Sequence, residues 1–250
     1  MAFFSVTCSD HISLTRLLLL SALLRTPDQG LASGDLDKDA YGARMLAAIP
    51  GVEMLFVQSF AKNMGLYGER TGTFAMVLND AVVAERVRQE LARVVRLTYS
   101  SPPQHGAAIA TKILREAPLT AAWKAELALM AERLRDMRTS LHAALERVRC
   151  PPPPGTRLTS WSHVLEQRGM FTYSGLTAAH VKLLREKHHI YMPTDGRISM
   201  ASLTTSSCDV LAAAIKDVLL ETSKGKARAS DSEDVLPSAK KARLPLAEEA

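Results

Sequence analysis

The longest regular pattern in this sequence of 250 residues is an apolar stripe that runs from Ala121 to Arg149. Its members follow one another at intervals of three or four residues, which places them on one face of an α-helix. They are Trp123, Leu127, Met130, Leu134, Met137, Leu141, Leu145 and Val148. The proline run 151–154 ends this helix, because proline cannot continue one. The pattern favours a core-facing helix that connects two lobes over its alternative, a coiled-coil seam.

Helical and strand-like segments alternate before this helix, as in an α/β protein. A helical segment covers 35–48, and strand-like segments cover 54–57 and 73–78. Another helix is capped by Asn79 or Asp80 and ended by the prolines that follow Ser101. Its apolar positions are Val83, Val87, Leu91, Val94 and Val95. A further helix is predicted over 107–115.

Shorter elements are predicted after the proline run. We expect a strand over 169–173, a capped helix over 177–187, and two more strands at 191–192 and 198–203. The last predicted helix covers 206–220. Ser206 and Asp209 form a pair at its start that resembles a capping box.

The two ends of the chain differ in composition from the rest. Residues 1–28 contain an eight-residue apolar run, Leu17–Leu24, which is far shorter than the roughly 20 residues that span a bilayer. No small-residue cleavage site follows it, so we interpret residues 1–28 as a divergent or artefactual segment, with a mitochondrial presequence as the alternative. Charged and small polar residues dominate after Ser223, which predicts a disordered tail over 221–250.

Charge and cysteine content exclude several classes of function. The net charge of +5 is spread along the chain without a basic stripe interleaved with aromatic residues, so nucleic acid is not an expected partner. Cys8, Cys150 and Cys208 show neither paired spacing nor a histidine cluster nearby. We therefore predict no metal site and no disulfide framework, and a reducing, intracellular compartment.

One segment, Gln58–Gly72, carries the chemistry of the sequence. It contains Ser59, Lys62 and Arg70 among glycines that permit close backbone approach, and it follows a strand-like run. A buried lysine amine can form an imine with an aldehyde cofactor, and a hydroxyl and a guanidinium nearby can hold that cofactor's phosphate. The alternative from these residues alone is a solvated loop lysine.

The string QSFAKNMGLYGERTG closely resembles the pyridoxal-phosphate lysine motif of aspartate aminotransferases. Three more blocks resemble that family in the same order and spacing: Gln29–Asp35, Val95–Pro103 and Gly196–Thr205. The resemblance implies an α/β fold, in which a partial large domain of a pyridoxal-phosphate-dependent transferase (29–115) precedes a small α+β C-terminal domain (116–220). It also implies pyridoxal 5'-phosphate as cofactor, a homodimer, and a cytoplasmic protein, with a mitochondrial location as the alternative.

The resemblance also assigns roles to individual residues. Lys62 is similar to the lysine that forms the imine and then moves the Cα proton. Ser59 and Arg70 match the phosphate-holding pair. Arg197 matches the arginine that binds the substrate α-carboxylate through a bidentate pair.

Three further positions are assigned in the same way. Arg96 matches the arginine that binds the side-chain carboxylate across the dimer interface, and Ser100 matches a phosphate contact from the neighbouring subunit. Phe171 matches an aromatic residue near the substrate pocket, with an ordinary core residue as the alternative. In the family an aspartate contacts the pyridine nitrogen and a tyrosine contacts the phenolic oxygen, but Arg25 and Asp28 stand at these positions.

The family's reaction implies the function that we expect. L-Aspartate and 2-oxoglutarate become oxaloacetate and L-glutamate, with dicarboxylic amino acids and 2-oxo acids as partners and without nucleic acid or membrane. The first half of the family's sequence has no counterpart before Gln29. The alternatives are a related transaminase for aromatic or other amino acids, and a truncated, catalytically impaired homologue that acts as an interaction protein or is a nonfunctional fragment.

Overall fold

The computed structural model describes the backbone of residues 3–8, 22–26 and 29–233, and the side chains of residues 29–223. Four strands form one sheet: β1 (Phe3–Cys8), β2 (Ala22–Thr26), β3 (Met54–Ser59) and β4 (Gly72–Leu78). Their order is β1-β4-β3-β2. The two central strands are antiparallel, and each edge strand runs parallel to its neighbour.

The central strands β3 and β4 were both predicted from their apolar runs, and both are confirmed. The edge strands belong to the segment that we interpreted as divergent or artefactual. Residues 3–8 and 22–26 of that segment therefore pair with the sheet, while most of its leucine run, residues 17–21, lies outside the described residues.

Four helices accompany this sheet. The segment predicted as one helix over 35–48 forms two short ones, α1 (Leu36–Asp39) and α2 (Tyr41–Ala47). Ala40 separates them, as the C-cap of the first and the N-cap of the second. The other two are α3 (Ala81–Thr98) and α4 (His105–Arg115), and both predictions are confirmed.

Helix α3 begins where predicted, but its apolar side chains are only partly covered. Asp80 caps it by accepting hydrogen bonds from the backbone N–H of Val82 and Val83 at 2.7 and 2.9 Å. Among its residues only Ala84 is buried. Val94 and Leu97 are exposed, Leu97 by 77%. Helix α3 contacts β1 and β4, but in the described chain this packing leaves part of its apolar surface exposed.

The predicted long helix is confirmed as α5 (Ala117–Arg147), which begins earlier than expected, near Pro118. Most of its apolar stripe is buried, including Leu127, Leu134 and Leu141, whereas Met130 is exposed. The helix contacts α4 at its start and packs along α8 (Thr205–Glu233). It thereby connects the sheet region to the main core, as the sequence predicted.

The main core lies in the C-terminal part, around α5 and α8. Two more helices, α6 (His163–Glu166) and α7 (Ala178–His188), close it. The largest fully buried side chains there include Trp161, Leu184 and Ile215. Thr177 caps α7 by accepting from the N–H of His180, so this predicted capped helix is confirmed.

A two-stranded sheet is formed by β5 (Phe171–Tyr173) and β6 (Arg197–Ser199), which are antiparallel. The predicted strand at 191–192 is wrong, because β5 pairs with β6 and these residues carry no strand. The predicted strand over 198–203 ends at Ser199, since a 3₁₀ turn covers Met200–Ser202.

The start and the end of α8 also differ from the prediction. Thr204 and Ser207 form the capping pair: the Thr204 N–H donates to Ser207 Oγ at 2.8 Å, and the Ser207 N–H donates to Thr204 Oγ1 at 3.2 Å. The predicted pair Ser206 and Asp209 is therefore wrong. The helix continues to Glu233, so residues 221–233 are helical rather than disordered, while residues 234–250 lie outside the described residues. No described helix has the length and apolar content needed to cross a membrane.

Candidate active site

Three of the predicted site residues come from one hairpin. Ser59 ends β3 and pairs with Gly72, and the Phe60 N–H donates to Thr71 O at 3.0 Å just beyond this pair. A Cβ on Gly72 would lie 2.4 Å from Gln58 O, so only glycine lets the two strands approach here. The connecting loop carries Lys62 and Arg70. The hairpin therefore places a hydroxyl, an amine and a guanidinium at one end of the sheet.

The lysine loop is held rigidly against the rest of the chain. Asn63 is only 1% exposed, and its Nδ2 donates to Gln29 O at 3.2 Å. The backbone carbonyl oxygen of Asn63 accepts from Trp123 Nε1 of α5 at 2.7 Å. These bonds fix the backbone next to Lys62, whose side chain is half-buried and lines a cavity of about 200 Å³ together with Arg133.

Phe171 brings two of the predicted cations together. Lys62 Nζ lies 4.8 Å from the centroid of its ring, and Arg197 Cζ lies 4.7 Å from the same centroid. Both distances fall within the range of cation–π contacts. The lysine comes from the hairpin loop, whereas the other two residues lie on β5 and β6. Phe171 is therefore the point at which the two halves of the predicted site meet.

Arg197 is oriented by the turn before β6. Its backbone N–H donates to Asp195 Oδ1 at 3.0 Å, and its Nε lies 3.9 Å from Asp195 Oδ2. Gly196 has φ +79°, and a Cβ there would lie 2.4 Å from Leu176 O. Only glycine fits this conformation and this space. The guanidinium remains about half exposed and accessible to a ligand.

The two predicted phosphate ligands of the hairpin bond to nearby backbone. Ser59 Oγ accepts from the Ala61 N–H at 3.1 Å, and Arg70 Nη1 donates to Tyr67 O at 3.1 Å. Arg70 is exposed and lines a cavity of about 470 Å³ whose wall includes Tyr99 and Ser101. A hydroxyl and an exposed guanidinium at the end of the lysine hairpin fit the phosphate of an aldehyde cofactor.

The remaining predicted site residues, Arg96 and Ser100, form a separate pair at the end of α3. Arg96 Nη1 donates to Ser100 Oγ at 3.0 Å, and both residues are exposed. Ser100 adopts φ +59°, which turns the chain sharply after the helix. Its two neighbours in sequence line the same cavity as Arg70. Their assigned roles, like those of the other site residues, stay predictions.

The two departures from the family pattern precede this site in sequence. The backbone of Arg25 lies in β2, where it pairs with Val57 of β3. The predicted position of Asp28 lies outside the described residues. An arginine therefore stands on the strand next to the one that leads to Lys62.

Sequence reasoning missed three residues that support the site: Asn63, Arg133 and Arg138. Arg133 donates to Ala201 O and Leu203 O at 3.2 and 2.8 Å, which holds the segment after β6. Arg138 is buried within the apolar stripe of α5. Its signal was available, because it lies four residues after Leu134 and three before Leu141, where an apolar residue is expected.

A family model described as aminotransferase class I and II matches residues 29–215. The chain is 46% identical over 187 residues to the cytoplasmic aspartate aminotransferase of Oryza sativa subsp. japonica. This match covers 75% of this chain and 44% of the relative. It is 49% identical over 191 residues to the chloroplastic aspartate aminotransferase 3 of Arabidopsis thaliana, and this match covers 76% of this chain and 41% of the relative. The chain thus spans less than half the length of these relatives.

A solved structure agrees with these matches. The aromatic-amino-acid aminotransferase of Burkholderia pseudomallei, covalently bound to pyridoxal phosphate, superposes with a TM-score of 0.71 and 39% identity, covering 80% of this chain and 48% of that one. The predicted fold class, a partial large domain followed by a small C-terminal domain, is confirmed, and so is pyridoxal phosphate as the cofactor of this family. By sequence and by fold, this chain belongs to the class I and II aminotransferases.

Proposed function

We propose that this chain carries an aspartate aminotransferase site that converts L-aspartate and 2-oxoglutarate into oxaloacetate and L-glutamate, with pyridoxal phosphate linked to Lys62. The observation that carries the proposal is that Lys62 and Arg197 both contact the ring of Phe171. An amine that can move a proton and a guanidinium that can bind a carboxylate thus lie beside the same aromatic ring. Transamination of an α-amino acid requires these two groups, one to move the Cα proton and one to bind the α-carboxylate.

The proposed work is divided among the residues of the hairpin and of β6. Lys62 Nζ would hold the cofactor through its aldehyde and would move the proton at the substrate Cα. Ser59 and Arg70 bind the phosphate. Arg197 binds the α-carboxylate with two parallel hydrogen bonds. When bound, pyridoxal phosphate supplies the aldehyde that takes up the amino group and a ring that withdraws charge from Cα.

We also propose that the site is completed by a second copy of the chain. Arg96 would bind the side-chain carboxylate and Ser100 the phosphate, each in the neighbouring subunit. Two observations support a homodimer: both residues are exposed at the end of α3, and the apolar side chains of Val94 and Leu97 beside them are exposed as well. Arg96 favours dicarboxylic substrates, while the similarity to an aromatic-amino-acid aminotransferase keeps aromatic substrates as the alternative.

A second candidate function is that of a catalytically impaired homologue that acts by interaction. Two observations favour it. The backbone of Arg25 lies beside β3, and an arginine cannot accept a hydrogen bond from a pyridine N–H. The exposed apolar residues of α3 also suit a docking surface. For location we propose the cytoplasm, with the mitochondrion as the alternative; the relatives above are named cytoplasmic and chloroplastic.

Covalent capture of the cofactor tests the proposal. The purified protein is incubated with pyridoxal phosphate, treated with borohydride, digested and examined by mass spectrometry. We expect the reduced cofactor on the peptide that contains Lys62, and an absorbance band that disappears on reduction. Lys62→Ala should lose both signals, whereas Lys124→Ala, which removes an exposed lysine of α5, should keep them. Equal labelling of several lysines, unaffected by Lys62→Ala, would favour the impaired homologue.

A further inference from the structure

Arg138 is a buried arginine near the middle of α5 whose guanidinium bonds to one short stretch of chain. The residue is only 3% exposed. Its acceptors all lie within residues 164–172. They are Val164 O at 3.2 Å and Thr172 Oγ1 for Nη1, and Gly169 O at 2.8 Å and Phe171 O at 2.7 Å for Nη2. The planar guanidinium thus ties the loop before β5, and the first two residues of β5, to the long helix.

Within residues 29–223, Arg138 forms no ion pair with a carboxylate. Burial, and then the charge of Arg168, lower the pKa of Arg138. A buried cation costs free energy, which the hydrogen bonds of its guanidinium offset here. The planar fork of donors holds several acceptors in one fixed arrangement, which neither a lysine nor an apolar side chain can do.

The segment that Arg138 holds is the one that joins the two halves of the site. It fixes the carbonyl of Phe171 and the hydroxyl of Thr172, which is fully buried. The ring of Phe171 contacts both Lys62 and Arg197. A displacement of β5 would therefore move the ring relative to both cations.

We propose that Arg138 is a positioning residue of the active site: by holding the backbone of Phe171 and the hydroxyl of Thr172, it sets the place of the Phe171 ring beside Lys62 and Arg197. The consequence for transamination rests on the function proposed above. The positioning itself does not, because it concerns contacts present in the protein without cofactor or substrate.

The ring current of Phe171 provides a direct measurement. Lysines are converted to carbon-13 dimethyl lysines by reductive methylation, and the Lys62 resonance is assigned by its loss in Lys62→Arg. Because Nζ lies near the ring, we expect its methyl signal to be displaced upfield, and Phe171→Leu should remove that displacement. Arg138→Met should remove most of it, and Arg138→Lys should restore part of it.

The matched control is Arg147→Met, which makes the same substitution on the same helix and breaks the exposed ion pair with Asp209. It should leave the Lys62 signal unchanged. If Arg138→Met folds by circular dichroism and keeps the full upfield displacement, the proposal is overturned. If Arg138→Met does not fold, Thr172→Val decides in its place, because it removes one acceptor of Arg138: reduced displacement supports positioning, and unchanged displacement overturns it.

This measurement requires neither bound cofactor nor turnover. A protein that fails to capture pyridoxal phosphate but shows the expected shifts would refute the proposed function and keep the positioning role. A protein that captures the cofactor on Lys62 but shows no effect of Arg138→Met would support the proposed function and refute the positioning role.

Discussion

The proposed role of Lys62 depends on two residues that are far from it in sequence, Phe171 and Arg197. In the fold its amine contacts the ring of Phe171, and that ring also contacts the guanidinium of Arg197. The motif around the lysine allowed the hairpin residues to be predicted, since Ser59 and Arg70 lie within a few residues of it. Arg138 could not be assigned in this way, because its acceptors become neighbours only when residues 164–172 fold against α5.

One residue-scale prediction concerns the cap of α1. The Asp35 carboxylate accepts from the N–H of Lys38 and of Asp37, and these bonds hold its pKa below the usual range. A carboxyl group whose pKa is lowered by folding stabilises the fold above its unfolded pKa, and this contribution disappears as pH falls through the folded pKa. Asp35→Ala should therefore reduce the free energy of unfolding at neutral pH, and the difference should close below about pH 4.

Urea unfolding of both proteins between neutral and acidic pH measures this effect. Asp136→Ala, which removes an exposed aspartate of α5, is the control and should show no comparable pH-dependent difference. A gap between wild type and Asp35→Ala that stays constant down to low pH would show that the cap contributes through something other than its charge.

At the scale of elements, the long helices were predicted well, whereas the strand-like segments at 191–192 and 200–203 were predicted wrongly. The stripe of α5 and the caps of α3 and α7 are local signals, and each of these helices forms. Residues 191–192 and 200–203 have strand-like composition, but a strand exists only where a partner offers hydrogen bonds. Here β5 pairs with residues 197–199 alone. The predicted cap of α8 was wrong for another reason: several hydroxyl residues at its start could each cap the helix.

The turn into β6 gives a prediction at this scale. Gly196 and Gly51 share φ +79°, but a Cβ on Gly196 would meet Leu176 O at 2.4 Å, whereas nothing lies within 4 Å of a Cβ on Gly51. Alanine at either site carries the left-handed penalty of roughly 1–2 kcal/mol. Only Gly196→Ala adds a clash with backbone. Its free energy of unfolding should therefore fall further than that of Gly51→Ala, by about 1 kcal/mol or more.

Denaturant unfolding of the two variants under the same conditions compares them directly. Equal losses would mean that the chain around Leu176 moves aside without cost, so that Gly196 would not be required for the orientation of Arg197.

At the scale of the whole molecule, this chain spans less than half the length of the relatives that it matches. Its sheet has four strands, and its α3 exposes apolar side chains next to Arg96 and Ser100. These features are accounted for together if another copy of the chain covers α3.

Self-association tests this view. Leu97 is 77% exposed, and burying a leucine contributes about 1.5–3 kcal/mol, so Leu97→Lys should raise the dissociation constant of a dimer about tenfold or more. Leu129→Lys changes a similarly exposed leucine of α5 and should have little effect. Sedimentation velocity across a range of concentrations measures both. A wild-type chain that stays monomeric, or equal effects of both variants, would contradict a dimer through α3.

A single half-reaction tests whether this chain carries a working transaminase site on Lys62. The protein is loaded with pyridoxal phosphate, freed of excess cofactor, and mixed with L-aspartate in the absence of 2-oxoglutarate, and the oxaloacetate released is measured. If Lys62 acts as proposed, the wild-type chain should release about one oxaloacetate for each bound cofactor and Lys62→Ala should release none. No release from the wild-type chain, or equal release from both proteins, would contradict it.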